Sequence, residues 1–241
     1  PKLLRVRHLF SNHKVLAKRK LQRFAENETF NHFFQPGWEE LSAGFSLRGN
    51  WNSRFFKNSN PVIIEMGCGK GEYTVDLSSK YPQRNFIGID KKGARMWRGA
   101  KISNEDSRAN VAFVRIRAEN IAKVFGPAEI DEIWITFPEP QPNSPRHSKR
   151  FTSPQFIERY RQVLKPGGII HLKTDNDMFY EYTLEVIREY GHTLLYNNPD
   201  LYATPDDPEV KDVIDVQTHY EKIWLEQGLT IKYLRFRLNE A

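Results

Sequence analysis

The chain has 241 residues, of which 39% are hydrophobic, with 36 Lys or Arg against 30 Asp or Glu and a single cysteine, Cys68. That length allows one sizeable domain with a terminal extension, and one cysteine excludes both an internal disulfide and a cysteine-cluster zinc site. No apolar stretch approaches the roughly 18 residues that span a bilayer and nothing resembles a secretory leader, so a soluble, cytoplasmic protein with no membrane partner is predicted.

Residues 1–60 show no sustained alternation of strand and helix. Between Pro1 and Ala25 there are eight Lys or Arg residues and no acid. Such a block is either a solvated arm or one that docks on a polyanion. Aromatic residues follow, from Phe24 through Phe33, Phe34, Trp38 and Trp51 to Phe56. We read residues 1–60 as an extension, partly mobile before Phe24 and packed onto the main domain, 61–241, beyond it.

From Pro61 the pattern changes. Short apolar runs predict strands at Val62–Met66, Asn85–Ile89, Val111–Arg117, Glu132–Phe137 and Ile169–Thr174, each of the kind buried on both faces. Helices are predicted between them, at about Tyr73–Lys80, Gly93–Asn104 and Pro154–Leu164. Lys165-Pro166-Gly167-Gly168 reads as helix stop and turn. A helix (about Asp177–Tyr190), a strand (Thr193–Asn197), a polar loop (Pro199–Pro208), a short helix (about Thr218–Gln227) and a terminal strand within Leu229–Leu238 complete the chain. Alternating strands and helices with short links require an α/β, Rossmann-like fold: a mainly parallel sheet with helices on both faces and a basic N-terminal extension.

In such a sheet, ligands sit beyond the carboxyl ends of the strands. Val62–Met66 runs into Gly67, Gly69 and Gly71, and the next strand ends at Asp90, about 20 residues on, as in a nucleotide-binding βαβ unit. Glycines let backbone approach a ligand, and Asp90 is placed to accept from a ribose diol. Glu65, two residues before the first glycine, repels phosphate and suits a cation such as the ammonium and sulfonium of S-adenosylmethionine. A dinucleotide-dependent oxidoreductase is therefore disfavoured.

Three further stretches belong to the same rim. Pro138-Glu139-Pro140 holds a carboxylate in a rigid loop, followed by the basic run Arg146–Arg150. Lys173-Thr174-Asp175 ends the fifth strand, where Asp175 reads either as a site acid or as a helix cap. Thr218-His219-Tyr220-Glu221 has the spacing of a capping box.

Together these pieces resemble the bacterial tRNA (guanine-N(7)-)-methyltransferases over about Lys18–Leu238. The resemblance rests on Glu65–Gly71, Phe86–Asp90, the Phe-Pro-Glu-Pro-Gln stretch, Lys173–Asp175 and Thr218–Glu221. It implies a class I methyltransferase fold, S-adenosylmethionine as cofactor, and tRNA as partner, with a variable-loop guanosine as acceptor; a monomer and a homodimer are both compatible. It also implies cofactor contacts at Glu65, Gly67, Gly69, Gly71, Asp90, Arg117, Ala118 and Glu139, with Glu139 as the catalytic position. Substrate contacts are implied at Asn143, Asp175, Thr218, His219, Tyr220 and Glu221. The chain departs from the family pattern in three places. Glu139 stands where the family usually has Asp, Pro140-Gln141-Pro142-Asn143 replaces Pro-Trp-Pro-Lys, and Arg117 replaces Asp or Asn. The rival readings are a methyltransferase for another acceptor, which needs no basic arm, and an RNA-binding homologue with impaired catalysis.

Overall fold

The computed structural model describes residues 19–142 and 144–239. In chain order the strands are β1 (Phe33–Phe34), β2 (Val62–Met66), β3 (Asn85–Asp90), β4 (Val111–Arg115), β5 (Ile130–Thr136), β6 (Leu164–Thr174), β7 (Thr193–Asn198) and β8 (Lys232–Arg237). They form one sheet in the order β1-β4-β3-β2-β5-β6-β8-β7. Strands β1 to β6 pair in parallel, and β8 runs antiparallel to both β6 and β7.

The helices are α1 (19–27), α2 (Trp38–Ala43), α3 (Glu72–Lys80), α4 (Gly93–Glu105), α5 (Ile121–Val124), α6 (Pro154–Arg161), α7 (Asp177–Glu189), α8 (Lys211–Ile214) and α9 (His219–Glu226). Successive residues of a strand point to opposite faces, so the two layers divide β2 between them. Val62, Ile64 and Met66 join one core with Phe156 and Tyr160 of α6 and Phe179 of α7. Ile63 joins another with Tyr73 and Leu77 of α3. Every residue of β2 is buried, which is why the strand reads as a continuous apolar run rather than an alternating one.

One difference from the expected elements has a physical cause. Leu164 pairs with Ile130 while Ile169 pairs with Glu132, so the predicted turn Lys165–Gly168 is a bulge inside β6 rather than a link before it. The terminal strand β8 lies between β6 and β7, an order in the sheet for which the sequence offered no expectation. Its alternation is blurred because it is covered on both sides.

The aromatic stretch joins the core directly. Trp51 is fully buried, its ring centroid lies 5.6 Å from that of Phe125, and its indole N–H donates to the Val124 carbonyl at 3.1 Å. Phe33 adds a two-residue strand beside Phe113, too short to leave a periodic signal. Residues 19–27 are helical, and the Asn27 amide donates to the Gly93 carbonyl at 2.9 Å. The rest of the basic arm lies outside the described residues.

Candidate functional site

The carboxyl ends of β2, β3, β4 and β5, with the loops that follow them, enclose a cleft of about 310 Å3. Glu65, Gly67, Gly69, Asp90, Arg117, Ala118, Glu139, Thr218 and Tyr220 line it. Gly71, Asp175 and Glu221 lie outside that lining. Asn143 falls outside the described residues, as does the side chain of His219, whose backbone opens α9.

Glu65, one residue before the end of β2, is a buried carboxylate between two threonines. Thr136, at the end of β5, donates to its Oε1 at 2.6 Å, and the Thr74 amide and hydroxyl donate to its Oε2 at 3.0 and 2.5 Å. Burial pushes the Glu65 carboxyl up to about 7, against the opposing pull of those hydrogen bonds. A buried carboxylate held near neutrality is poised to gain charge when a cation arrives.

Asp90, at the end of β3, accepts from the Gly69 amide at 3.0 Å and from the Lys92 amide at 2.8 Å. These bonds fix its carboxylate over the glycine turn. Gly67 adopts φ +75°, and a Cβ there would come within 3.0 Å of the Phe151 ring. Backbone therefore forms the cleft floor where a side chain would fill it. Arg117 is largely exposed and pairs with Glu119 at 3.5 Å, which leaves the backbone of Ala118 as the rim at the end of the β4 loop.

On the opposite wall, Glu139 is held by a strained loop. Phe137 and Gln141 both take positive φ, 47° and 46°, a conformation that costs a non-glycine residue and persists only where neighbours enforce it. The Gln141 amide donates to Glu139 Oε2 at 3.0 Å, and the Phe137 ring packs 4.8 Å from that of Trp224 on α9. Arg150 clamps the loop from behind. Its guanidinium donates to the Pro140 carbonyl at 3.2 Å and to the Gln141 carbonyl at 3.2 and 3.3 Å, and lies 4.2 Å from the Tyr182 ring centroid. Arg150, the last residue of the basic run Arg146–Arg150, is therefore buried rather than solvent-facing. Lys149 of the same run is exposed and lines the cleft.

The remaining motif residues have structural partners. Asn176, not Asp175, caps α7, its Oδ1 accepting from the Phe179 amide at 2.8 Å. Asp175 is half-buried, which raises its carboxyl, and its backbone carbonyl accepts from Lys232. Thr218 and Glu221 form a complete capping box on α9. Glu221 is turned into the protein, where Lys173 donates to it at 2.6 Å and the Tyr202 hydroxyl at 2.7 Å. Thr218 and Tyr220 remain on the cleft side.

Several site residues carry no motif. Thr136 and Thr74 are recognisable only through the rule that a buried carboxylate must find donors. Tyr73 also lines the cleft, and its buried hydroxyl has no hydrogen-bond partner among the described residues. Nothing in the sequence marks it.

Comparison with known proteins identifies the family of the chain. Residues 59–234 match a family model described as "Putative methyltransferase". A tRNA (guanine-N(7)-)-methyltransferase of Christiangramia forsetii is 49% identical over 223 residues, covering 92% of this chain and 99% of the relative. One from Bacteroides fragilis is 43% identical over 224 residues, covering 92% and 87%. Among solved structures, 16S rRNA methyltransferase KamB superposes with a TM-score of 0.59 at 14% identity, covering 78% of this chain and 92% of that one, a likeness of fold alone. The chain belongs to the tRNA (guanine-N(7)-)-methyltransferase family.

Proposed function

We propose that the protein transfers a methyl group from S-adenosylmethionine to N(7) of a guanosine in the variable loop of tRNA. The observation that carries the reading is the pairing of two unlike walls in one cleft. Glu65, Asp90 and the glycine turn form one wall, from β2 and β3, and Glu139, Thr218 and Tyr220 form the other, from the loop after β5 and the start of α9; the two meet where the Lys70 ammonium lies 5.0 Å from the Tyr220 ring centroid.

The first wall fits the cofactor. Asp90 would hold the ribose hydroxyls, the Gly67–Gly69 backbone would pass close beneath the ligand, and Ala118 would meet the base through its main chain. Glu65 would offset the positive charge of the amino-acid end. When bound, S-adenosylmethionine supplies a methyl group on a sulfonium, an electrophile that needs no metal.

The second wall fits the acceptor. Guanine N(7) has an in-plane lone pair and no proton, so its attack requires no general base. The protein's part is to orient the base in line with the methyl and to stabilise the positive charge that develops on it. A carboxylate can also accept from both N1–H and the exocyclic amine of guanine, a pattern adenine lacks. Glu139 is the carboxylate on this wall, and Thr218 and Tyr220 bound the space beside it. The exposed basic groups around the mouth, Lys91, Lys92, Arg95 and Lys149, suit an RNA backbone.

The test is incubation of the full chain with methyl-labelled S-adenosylmethionine and unmodified tRNA, followed by mapping of the modified base. Label in 7-methylguanosine of the variable loop is expected. Label elsewhere, or only in a small-molecule acceptor, overturns the reading.

A further inference from the structure

Beside the cleft lies a second, shallower pocket of about 270 Å3, and the two share Lys91, Ile116 and Arg117 as a common wall. Its outer side is built from the segment before β2, through Gln35 and Trp38, and its floor includes Arg115 at the end of β4. Trp38 is 66% exposed, although indole is among the side chains that gain most from burial. The Lys123 ammonium lies 4.6 Å from the Trp38 ring centroid, so part of the ring already meets a cation while most of it stays open.

The charge around this ring is uneven. Three cations, Lys91, Arg115 and Arg117, line the pocket, and no acid does among the described residues. Arg117 is shared with Glu119 at 3.5 Å, and Glu39 and Glu40 lie on the first turn of α2 next to Trp38. An exposed indole ringed by cations, beside a cleft that takes a nucleoside, suits a phosphodiester-linked base better than an acidic peptide. The ring stacks on any base, and the cations meet the flanking phosphates.

We infer that this pocket binds a second, unpaired nucleotide of the RNA substrate, stacked on Trp38 with its phosphates held by Arg115 and Lys91. The inference rests on the tRNA reading above and adds a site to it. The geometry allows one strand to reach both places. Arg115 ends β4 and Glu139 follows β5, three strand steps across the sheet, a separation of about 14 Å. A few nucleotides of extended single strand cover that distance along the carboxyl edge.

The experiment compares Trp38→Ala, Trp38→Phe and Lys91→Gln with the unaltered chain on unmodified tRNA at saturating cofactor. Trp38→Ala is expected to raise the tRNA KM about 5- to 160-fold, the range for loss of one base–aromatic stack. Turnover at saturating tRNA should stay within about twofold, as when binding common to ground and transition state is lost. Trp38→Phe should recover most of the loss, and Lys91→Gln should lower the salt slope of tRNA binding by about 1. An unchanged tRNA KM in Trp38→Ala overturns the inference. So does a change in sedimentation without a change in tRNA KM, which marks a contact between copies of the chain. If the unaltered chain methylates no tRNA, the proposed function fails instead.

Discussion

Lys173 and Glu221 form an ion pair, nitrogen to oxygen 2.6 Å apart, with both side chains fully excluded from solvent. Lys173 spends its other N–H groups on the Val213 carbonyl at 2.8 Å and the Val216 carbonyl at 3.1 Å. Glu221 also takes the Tyr202 hydroxyl and the Thr218 amide. One buried nitrogen thus ties the end of β6 to α8, to α9 and to the link between them. That knot sets where α9 begins, and so where Thr218 and Tyr220 enter the cleft.

The pair should reveal itself through asymmetry. Lys173→Met leaves the Glu221 carboxylate buried without its cation, which costs about 3–5 kcal/mol. In a domain of this size each kcal/mol lowers the melting temperature by about 2–4 °C. The double variant Lys173→Met with Glu221→Gln removes the uncompensated charge and should be the more stable of the two. A thermal melt of the single and double variants checks this, and equal losses would deny the coupling.

The same region shows where sequence reading stops. Strands β2 and β3 were legible because burial on both faces writes a continuous apolar run, and Asp90 because it ends one of them. Thr218–Glu221 was ambiguous by construction, since four residues of a capping box also present side chains on two sides of a helix start. Here Glu221 points inward and Tyr220 outward, and the deciding partner, Lys173, is remote in sequence. The role of Arg150 was hidden for a related reason. It sits in a basic run that is exposed at His147, Ser148 and Lys149, and only the fold of the Glu139 loop turns its guanidinium inward. Register across the sheet, which brings Thr136 to Glu65, has no local signature.

Glu65 should make both stability and cofactor binding depend on pH near neutrality. Its folded value of about 7 lies above the ordinary 4.5. Between those values the folded protein keeps a proton that the unfolded chain has released, so this contribution is fully present below 4.5. It falls as pH rises and is lost above 7. Glu65→Gln, whose amide can still bridge Thr74 and Thr136, should therefore be the more stable protein at pH 8, by an amount on the order of 3 kcal/mol. The gap should narrow at pH 5. A cation bound beside Glu65 favours its charged form, so S-adenosylmethionine should bind more tightly as pH rises through 7, with release of a proton. Calorimetry in two buffers of different ionisation enthalpy measures that proton, and Glu65→Gln should release none.

The Glu139 loop yields a prediction about fit. The Gln141 amide holds the longer carboxylate, and Arg150 holds the loop. Glu139→Asp withdraws the carboxylate by up to about 1.5 Å and leaves Gln141 without its acceptor. Turnover should fall by up to about 100-fold. Arg150→Lys should also reduce turnover, because an ammonium cannot reproduce a planar fork shared between two carbonyls and an aromatic face. Neither change touches the Asp90 wall, so cofactor affinity should fall less than turnover. Steady-state kinetics with each substrate varied separates the two walls, and wild-type turnover in Glu139→Gln would remove Glu139 from the mechanism.

Two of the glycines after β2 should fail in different ways. Gly71 has φ +73°, and a Cβ there would lie 2.6 Å from Cε1 of Phe113, with the Gly99 backbone behind. Gly71→Ala adds a left-handed alanine to a closed site, an expected loss of about 2–4 kcal/mol. Gly69 has φ +56°, but a Cβ there would meet only the Gly67 carbonyl at 4.0 Å. Gly69→Ala thus carries the backbone cost without the clash, and it places a methyl group in the cleft beneath Asp90. The first variant should lower the melting temperature most while its folded fraction binds cofactor normally. The second should melt nearer to the unaltered protein and lose cofactor affinity. Thermal melts with and without S-adenosylmethionine distinguish them, because only a variant that still binds gains stability from the ligand. If Gly69→Ala kept the full ligand-induced shift, the glycine turn would not be where the cofactor lies.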